Sequence, residues 1–294
     1  MILTATALAA TCLLAGYAGL AGVVAQRFTS ARRGVPAYSV APLAARKVQF
    51  LARDALARIA ASYLPAGAGE SPARGAVVFV HGKDACRGDE LKADSAGLLR
   101  RLNEAGLAVL LIDLRGHGQS SNARLTYGHR ERFDVLGAVD WLRAQGHQRI
   151  GVLGASMGAA STLLAAAEEP AICAVVADSA FADFGQMIER QYRKLCRLPA
   201  CVLPGALAIG RLLTGVTLQQ VRPLDAAARL VGRPCLLIHS AGDRFIPASD
   251  ARRLAAAAQA ELWITDSLGH IGSYRAAPAA YTERVRAFFE QHLA

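Results

Sequence analysis

The stretch GVLGASMGAAS, residues 151–161, sets a serine among glycines and alanines where an apolar run ends and a helical pattern begins. Two readings compete for it. One is a nucleophile turn, in which Ser156 is lifted into a cleft between Gly154 and Gly158. The other is a phosphate-cradling loop, with Gly151, Gly154 and Gly158 as its glycines and Asp178, at the end of the next apolar run, on a ribose. The spacing is not G-x-G-x-x-G, the turn falls in mid-chain, and this reading leaves other strand-end residues unexplained. A serine forced into a tight turn needs small neighbours, because strand and helix pass close on either side, and Gly154, Gly158 and Ala159 supply them. The turn also aims the amide of Met157 at whatever the hydroxyl attacks.

Outward from this turn, apolar runs alternate with amphipathic stretches. The runs AVVFVH (76–81), LAVLLID (107–113), RIGVL (149–153), ICAVVAD (172–178), PCLLIH (234–239) and ELWI (261–264) show no polar alternation. They predict strands covered on both faces, hence a mostly parallel sheet between helix layers, an α/β fold. Helices are expected near 90–105, with Leu98, Leu99 and Leu102 on one face, near 131–145, and from the turn to about Glu168. VQFLARDALARIAASYL (48–64) reads as two strands with a turn near Asp54, and 65–75 as a Gly/Pro/Ser-rich loop. Residues 183–222 exceed what one crossover needs and read as a small helical lid inserted into a domain spanning 48–294.

In such a sheet, ligands bind beyond the carboxyl ends of the strands. Asp243 lies in the loop after the strand ending at His239, and His270 in the loop after the last strand. A serine hydroxyl needs a general base, itself oriented by an acid, and the chain order Ser156, Asp243, His270 is the one expected on such an elbow. Asp178 also ends a strand and is the alternative acid. His81-Gly82-Lys83 closes an upstream strand, so the amides of Lys83 and Met157 are the expected oxyanion hole. His117 reads as loop architecture, His239 as a core histidine, and Asp113 with Arg115 as a pair bracing one loop.

With these segments in order, the chain resembles the α/β-hydrolases. The resemblance is to single-domain serine hydrolases with a small cap, serine-aminopeptidase-like and lipase/esterase-like, many of them membrane-anchored. It covers roughly residues 48–292 and rests on VHG (80–82), DLRGHGQS (113–120), TYGHRERFDV (126–135), GASMG (154–158), SAGDRFIP (240–247) and LGHIGSY (268–274). It implies Ser156 as nucleophile, His270 as base and Asp243 as orienting acid. Asp54-Ala55 departs from the usual Asp-Gly turn between the first strands.

Hydrophobic residues make up 53% of the 294 and charged residues 19%, with a net charge of +10. Part of the excess lies in residues 1–25, which carry no charge, the first being Arg27. This length suits a transmembrane anchor. A cleaved signal peptide ending at Val23-Val24-Ala25 is the alternative, disfavoured because no Lys or Arg precedes the apolar run. Arg27, Arg32, Arg33, Arg46, Lys47 and Arg53 all precede the first acid, Asp54, so 26–47 reads as a basic linker that favours a cytoplasmic catalytic domain. A secreted or periplasmic domain is the alternative, and a bridge between Cys196 and Cys201 would fit it. No basic run interleaves with aromatics, so nucleic acid is not an expected partner. No cysteine spacing resembles a zinc site, and neither metal nor cofactor is expected.

The expected activity is hydrolysis of a carboxylic ester or related acyl bond in a small-molecule or lipid-like substrate. Peptidase and thioesterase chemistry remain alternatives on the same side chains. A non-catalytic hydrolase-fold binding protein is the alternative from another class. Oligomeric state is not legible.

Overall fold

The computed structural model describes residues 2–33, 45–66 and 75–293. Most of the expected 65–75 loop and the central part of the 26–47 linker lie outside the described residues. In chain order the elements are α1 (Ile2–Thr29), β1 (Arg46–Leu51), β2 (Arg58–Leu64), β3 (Gly75–Val80), α2 (Ala96–Glu104), β4 (Leu107–Ile112), α3 (Arg132–Ala144), β5 (Ile150–Ala155), α4 (Met157–Glu168) and β6 (Ile172–Asp178). They continue with α5 (Phe184–Cys196), α6 (Val202–Thr214), a 3-10 turn at Leu218–Gln220, α7 (Pro223–Ala228), β7 (Cys235–Gly242), α8 (Ala248–Ala258), β8 (Glu261–Leu268), α9 (Ser273–Ala276) and α10 (Pro278–Leu293).

The strands form one eight-stranded sheet in the order β1-β2-β4-β3-β5-β6-β7-β8, parallel throughout except for β1–β2 and β2–β4. The apolar runs explain it directly. Along β3, Ala76, Val78 and Val80 point to one face, where Val135, Leu136 and Leu163 of α3 and α4 cover them. Val77 and Phe79 point to the other, where Leu98, Leu99 and Leu102 of α2 and Val285 and Phe289 of α10 wait. With both faces buried, a strand has no polar positions to alternate. This is the α/β-hydrolase fold. Helices α5 and α6 and the 3-10 turn fill the 183–222 segment and form a cap.

The N-terminal segment differs from the expected free anchor. Its helix runs on to Thr29, and Ala21 and Val24 are buried against Tyr192, Val202 and Ala206 of the cap. The Tyr17 hydroxyl donates to the Cys201 carbonyl (2.9 Å) and accepts from the Gly205 amide (3.2 Å). The last third of α1 is therefore part of the folded body. Among the described residues, no single helix is long and apolar enough to cross a membrane. Cys196 and Cys201 are free thiols.

Asp113 and Arg115 do not pair with each other. Asp113 is held by the Arg87 guanidinium and accepts from the amides of Arg87 and Gln119, both at 2.8 Å. Arg115, only 2% exposed, instead ties Asp54 of the first turn (2.8 Å) to Asp134 of α3 (2.8 Å). Two buried charges of opposite sign, two residues apart in the loop that follows β4, thus have separate partners. Asp54 thus anchors the turn in which Ala55 takes a left-handed φ of 57°, the position glycine would fill at less cost. Replacing Arg115 with Leu strands the carboxylate of Asp134, which is wholly buried. We expect a loss of about 3–5 kcal/mol in urea unfolding, most of it recovered in Arg115→Leu/Asp134→Leu.

Candidate active site

Ser156 joins β5 to α4 with φ 53° and ψ −115°, and its side chain makes no capping bond to the helix. For a residue with a side chain this is a strained conformation, costing on the order of 1–3 kcal/mol. The surroundings enforce it. The Ser156 amide donates to the Asp178 carbonyl (2.8 Å), and its own carbonyl accepts from the Ala160 amide (3.0 Å). A β-carbon on Gly158 would lie 2.2 Å from the Val80 carbonyl oxygen, and one on Gly154 would lie 2.4 Å from that of Gly158. Helix and strands therefore approach backbone to backbone. The glycines that imitated a dinucleotide fingerprint are packing contacts: at Gly151 a β-carbon would strike the Phe289 ring at 2.5 Å.

The hydroxyl so presented sits 2.7 Å from Nε2 of His270, whose Nδ1 is 2.8 Å from Oδ2 of Asp243. Three residues far apart in sequence thus form one hydrogen-bonded chain at the carboxyl ends of β5, β7 and β8. His270 is clamped by its neighbours. Gly269 and Ile271 both have positive φ, the Ile271 amide donates to the Ser179 hydroxyl (3.3 Å), and the Gly272 amide donates to the Ser240 hydroxyl (3.1 Å). Phe245 meets the imidazole edge-to-face, with centroids 5.1 Å apart.

Asp243 is 6% exposed, so burial works against its ionisation. Hydrogen bonds from His239 and His270, the positive field of His270 and the Ile246 amide outweigh that and hold it well below the usual carboxylate range. The Phe245 and Ile246 amides donate to Oδ1 at 2.8 and 3.0 Å, leaving Oδ2 for the imidazole. Asp178 is placed differently. It is fully buried, accepts from Tyr281 (3.0 Å) and Ser179 (2.8 Å), and makes no hydrogen bond to His270. Burial pushes its carboxyl up. It reaches the imidazole loop only through the Ser179 hydroxyl, as a brace.

Ser156, His270, Lys83 and Met157 line one cleft of about 530 Å³. A β-carbon on Gly82 would sit 3.3 Å from that of Ser156, so the loop bearing Lys83 passes beside the hydroxyl. The Lys83 ammonium pairs with Asp84 (2.6 Å). His81 is buried: its Nδ1–H donates to the Gly82 carbonyl (2.7 Å) and its Nε2 accepts from the Leu114 amide (3.0 Å). Burial, with His117 beside it, pushes its pKa down to about 3, so this neutral ring is a strut for the loop. His117 likewise accepts from the Asp84 amide (3.2 Å).

Several cleft residues gave no signal in the sequence. His239 is a core residue as expected, wholly buried behind the cleft, and what the sequence did not signal is that its Nε2 lies 3.5 Å from Asp243 while donating to the Ile246 carbonyl (2.9 Å). Glu90 lines the cleft with one carboxyl oxygen unpartnered, and burial pushes its pKa up to about 8. Phe28 and Arg32 bring the N-terminal segment to the rim. A strand-end rule finds strand-end residues; these come from elsewhere. Among the described residues, no cluster of three or more His, Cys, Asp or Glu is placed to hold a metal ion.

Comparison with known proteins follows from this geometry. A model of the serine aminopeptidase family, S33, matches residues 71–222, which contain Ser156. The uncharacterized protein YqkD of Bacillus subtilis (strain 168) is 33% identical over 194 residues, covering 64% of this chain and 63% of that protein. The match thus spans less than two thirds of that relative's length. Among solved structures, the Pyrococcus furiosus esterase Pf2001 superposes with a TM-score of 0.72 at 22% identity, covering 90% of this chain and all of that one. Est1E from Butyrivibrio proteoclasticus, solved with ferulic acid bound, gives 0.65 at 20%, covering 84% and 99%. At these identities the structures share the fold.

Because the turn depends on backbone approach, Gly158→Ala forces Val80 and α4 apart. We expect a lowered melting temperature, by several degrees, together with slower fluorophosphonate labelling of Ser156 in the protein that remains folded.

Proposed function

The chain belongs to the serine aminopeptidase family, S33, and from that membership and the Ser156–His270 hydrogen bond we propose that it is a serine hydrolase cleaving carboxylic esters. Ser156 attacks the ester carbonyl as His270 takes its proton on Nε2. Asp243 keeps Nδ1 protonated and stabilises the imidazolium. The amides of Lys83 and Met157 receive the developing oxyanion, His270 returns the proton to the leaving alcohol, and water releases the acyl-enzyme by the same steps. The 2.7 Å contact between hydroxyl and imidazole carries this reading.

The family's description raises a second reading, an aminopeptidase, which must hold a substrate ammonium. Two of the three acids lining the cleft favour the ester, and Asp89, the third, is the carboxylate that an ammonium would use. Asp84 is committed to Lys83 and to the Arg32 amide (2.8 Å), and Glu90, with its pKa near 8, is largely neutral at neutral pH. The test is turnover of simple esters and of aminoacyl amides, with fluorophosphonate labelling of the wild type. Ser156→Ala loses labelling and about 10⁴-fold or more of kcat; Asp243→Asn loses about 10³- to 10⁴-fold while Asp178→Asn stays within tenfold. Crippling of Asp178→Asn alone overturns the assignment of the acid. Turnover of amides without esters overturns the ester reading.

The apolar first part of α1 further supports attachment to a membrane surface, and the basic residues that follow add attraction to anionic headgroups, which are richest on the cytoplasmic face. Leu8, Leu13 and Leu14 are 67–76% exposed, an unusual cost for a helix in water. Leu13→Arg/Leu14→Arg is expected to move the protein from the pelleted membrane fraction to the supernatant. A wild type found only in the supernatant overturns the attachment.

A further inference from the structure

Beside the cleft lies a second cavity, of about 240 Å³, that the mechanism does not use. It is lined by Ala25 and Phe28 of α1, Tyr127, Ile188 of α5, and Leu207 and Gly210 of α6, and part of it is open to solvent. Phe28, Tyr127 and Ile188 face both this cavity and the cleft that contains Ser156, so the two are neighbours through one shared wall of apolar side chains. The Tyr127 hydroxyl donates to the Phe28 carbonyl (2.9 Å), and its ring stacks on Phe184 with centroids 4.0 Å apart, which fixes that wall.

We propose that this cavity receives the hydrocarbon tail of the ester, so that the docking of α1 on α6 sets the tail length the enzyme accepts. The proposal rests on the ester-hydrolase reading and names its substrate class. The lining is mostly apolar, with Thr126, Arg211, Thr214 and Gln219 among its polar members, so a tail entering it exchanges water chiefly for hydrocarbon. An apolar cavity of about 150 Å³ takes one benzene, so a cavity of this size suits roughly ten carbons. Closeness to the cleft identifies the occupant: a tail attached at the carbonyl beside Ser156 enters this space when the Phe28 and Ile188 side chains part, while Tyr127 stays fixed by its bond to the Phe28 carbonyl and its stack on Phe184. The N-terminal helix is then a specificity element. Its contact with α6 is specific, because Gly205 leaves room for the Tyr17 ring, whose oxygen would lie 2.7 Å from a β-carbon there.

The experiment uses the full chain and two ester series, nitrophenyl esters of acyl chains from two to fourteen carbons and acetates of alcohols of the same lengths. The wild type is expected to prefer about ten carbons in one series, which tells whether the tail is carried by the acyl or the alcohol side. Gly210→Leu fills the cavity. A β-carbon there meets only Thr29 Cγ2, at 3.8 Å, and leucine also suits a helix better than glycine, so the variant folds. It should lower the ten-carbon to two-carbon ratio of kcat/KM about tenfold or more and move the optimum to shorter tails. Leu207→Ala should move it to longer ones. Unchanged ratios in both variants, or shifts in the same direction, overturn the proposal. If no ester is turned over, the ester reading fails by itself, and calorimetric titration with decanoate against acetate still decides: decanoate binding weakened by Gly210→Leu sustains the chamber, and absent or unaffected binding removes it.

Discussion

The approach of α4 to β3 and β5 is the constraint on which the rest depends. Where Gly158 meets the carbonyls of Val80 and His81 there is no room for a side chain. That approach pulls the chain into a turn so sharp that Ser156 must take a positive φ, and the strain is held by hydrogen bonds to β6 and within α4. A relaxed serine at a helix start would turn its hydroxyl to the free amides of the first turn, as a cap. Here that option is closed, and the hydroxyl is left for the imidazole. Packing, two residues away from the chemistry, decides what the serine does.

The two buried acids near the site show how position divides similar groups. Asp178 and Asp243 end neighbouring strands, β6 and β7. One step along the sheet separates a carboxylate whose neighbours are hydroxyls from one flanked by two imidazoles and two backbone amides. The first, surrounded by Tyr281 and Ser179, is pushed toward the neutral form and serves as a brace for the loop that carries His270. The second is held well below the usual carboxylate range and is charged at neutral pH, and a negative charge beside it is what lets an imidazole accept a proton. Proximity and charge state both favour Asp243 as the acid of the proposed mechanism.

Most of this was legible in the sequence, for a physical reason. A strand buried on both faces must be apolar at every position, so β3 to β7 announce themselves, and in a parallel sheet the polar residue that ends such a run lies at the ligand-binding edge. That rule offers Asp113 and Asp178 as readily as Asp243 and His270; the small-residue turn around Ser156 and the order Ser, Asp, His narrow the choice. What stayed illegible depends on side-chain direction or on contacts across the fold. Asp113 and Arg115 are two residues apart, which suggested a pair; the direction of each side chain gave them Arg87 and Asp134 instead. His239 sits in an apolar strand like any core residue, and only the turn back to Asp243 brings its ring to the acid. Ala55 kept the turn of an Asp-Gly pair because Asp54 is bound by Arg115.

The N-terminal helix carries the same lesson to the level of architecture. Hydropathy measures transfer out of water and is blind to where the residue goes, so Ala21, Val24 and Ala25 read as membrane residues though they are buried against protein. The cap explains why. Helix α6 is itself apolar, and the contact is made by Ala21 and Val24 against Val202 and Ala206, with Tyr17 supplying a pair of directional bonds. The cavity lies beside this contact, lined from α1 by Ala25 and Phe28 and from α6 by Leu207 and Gly210, so the seating of one helix on the other sets the space between them.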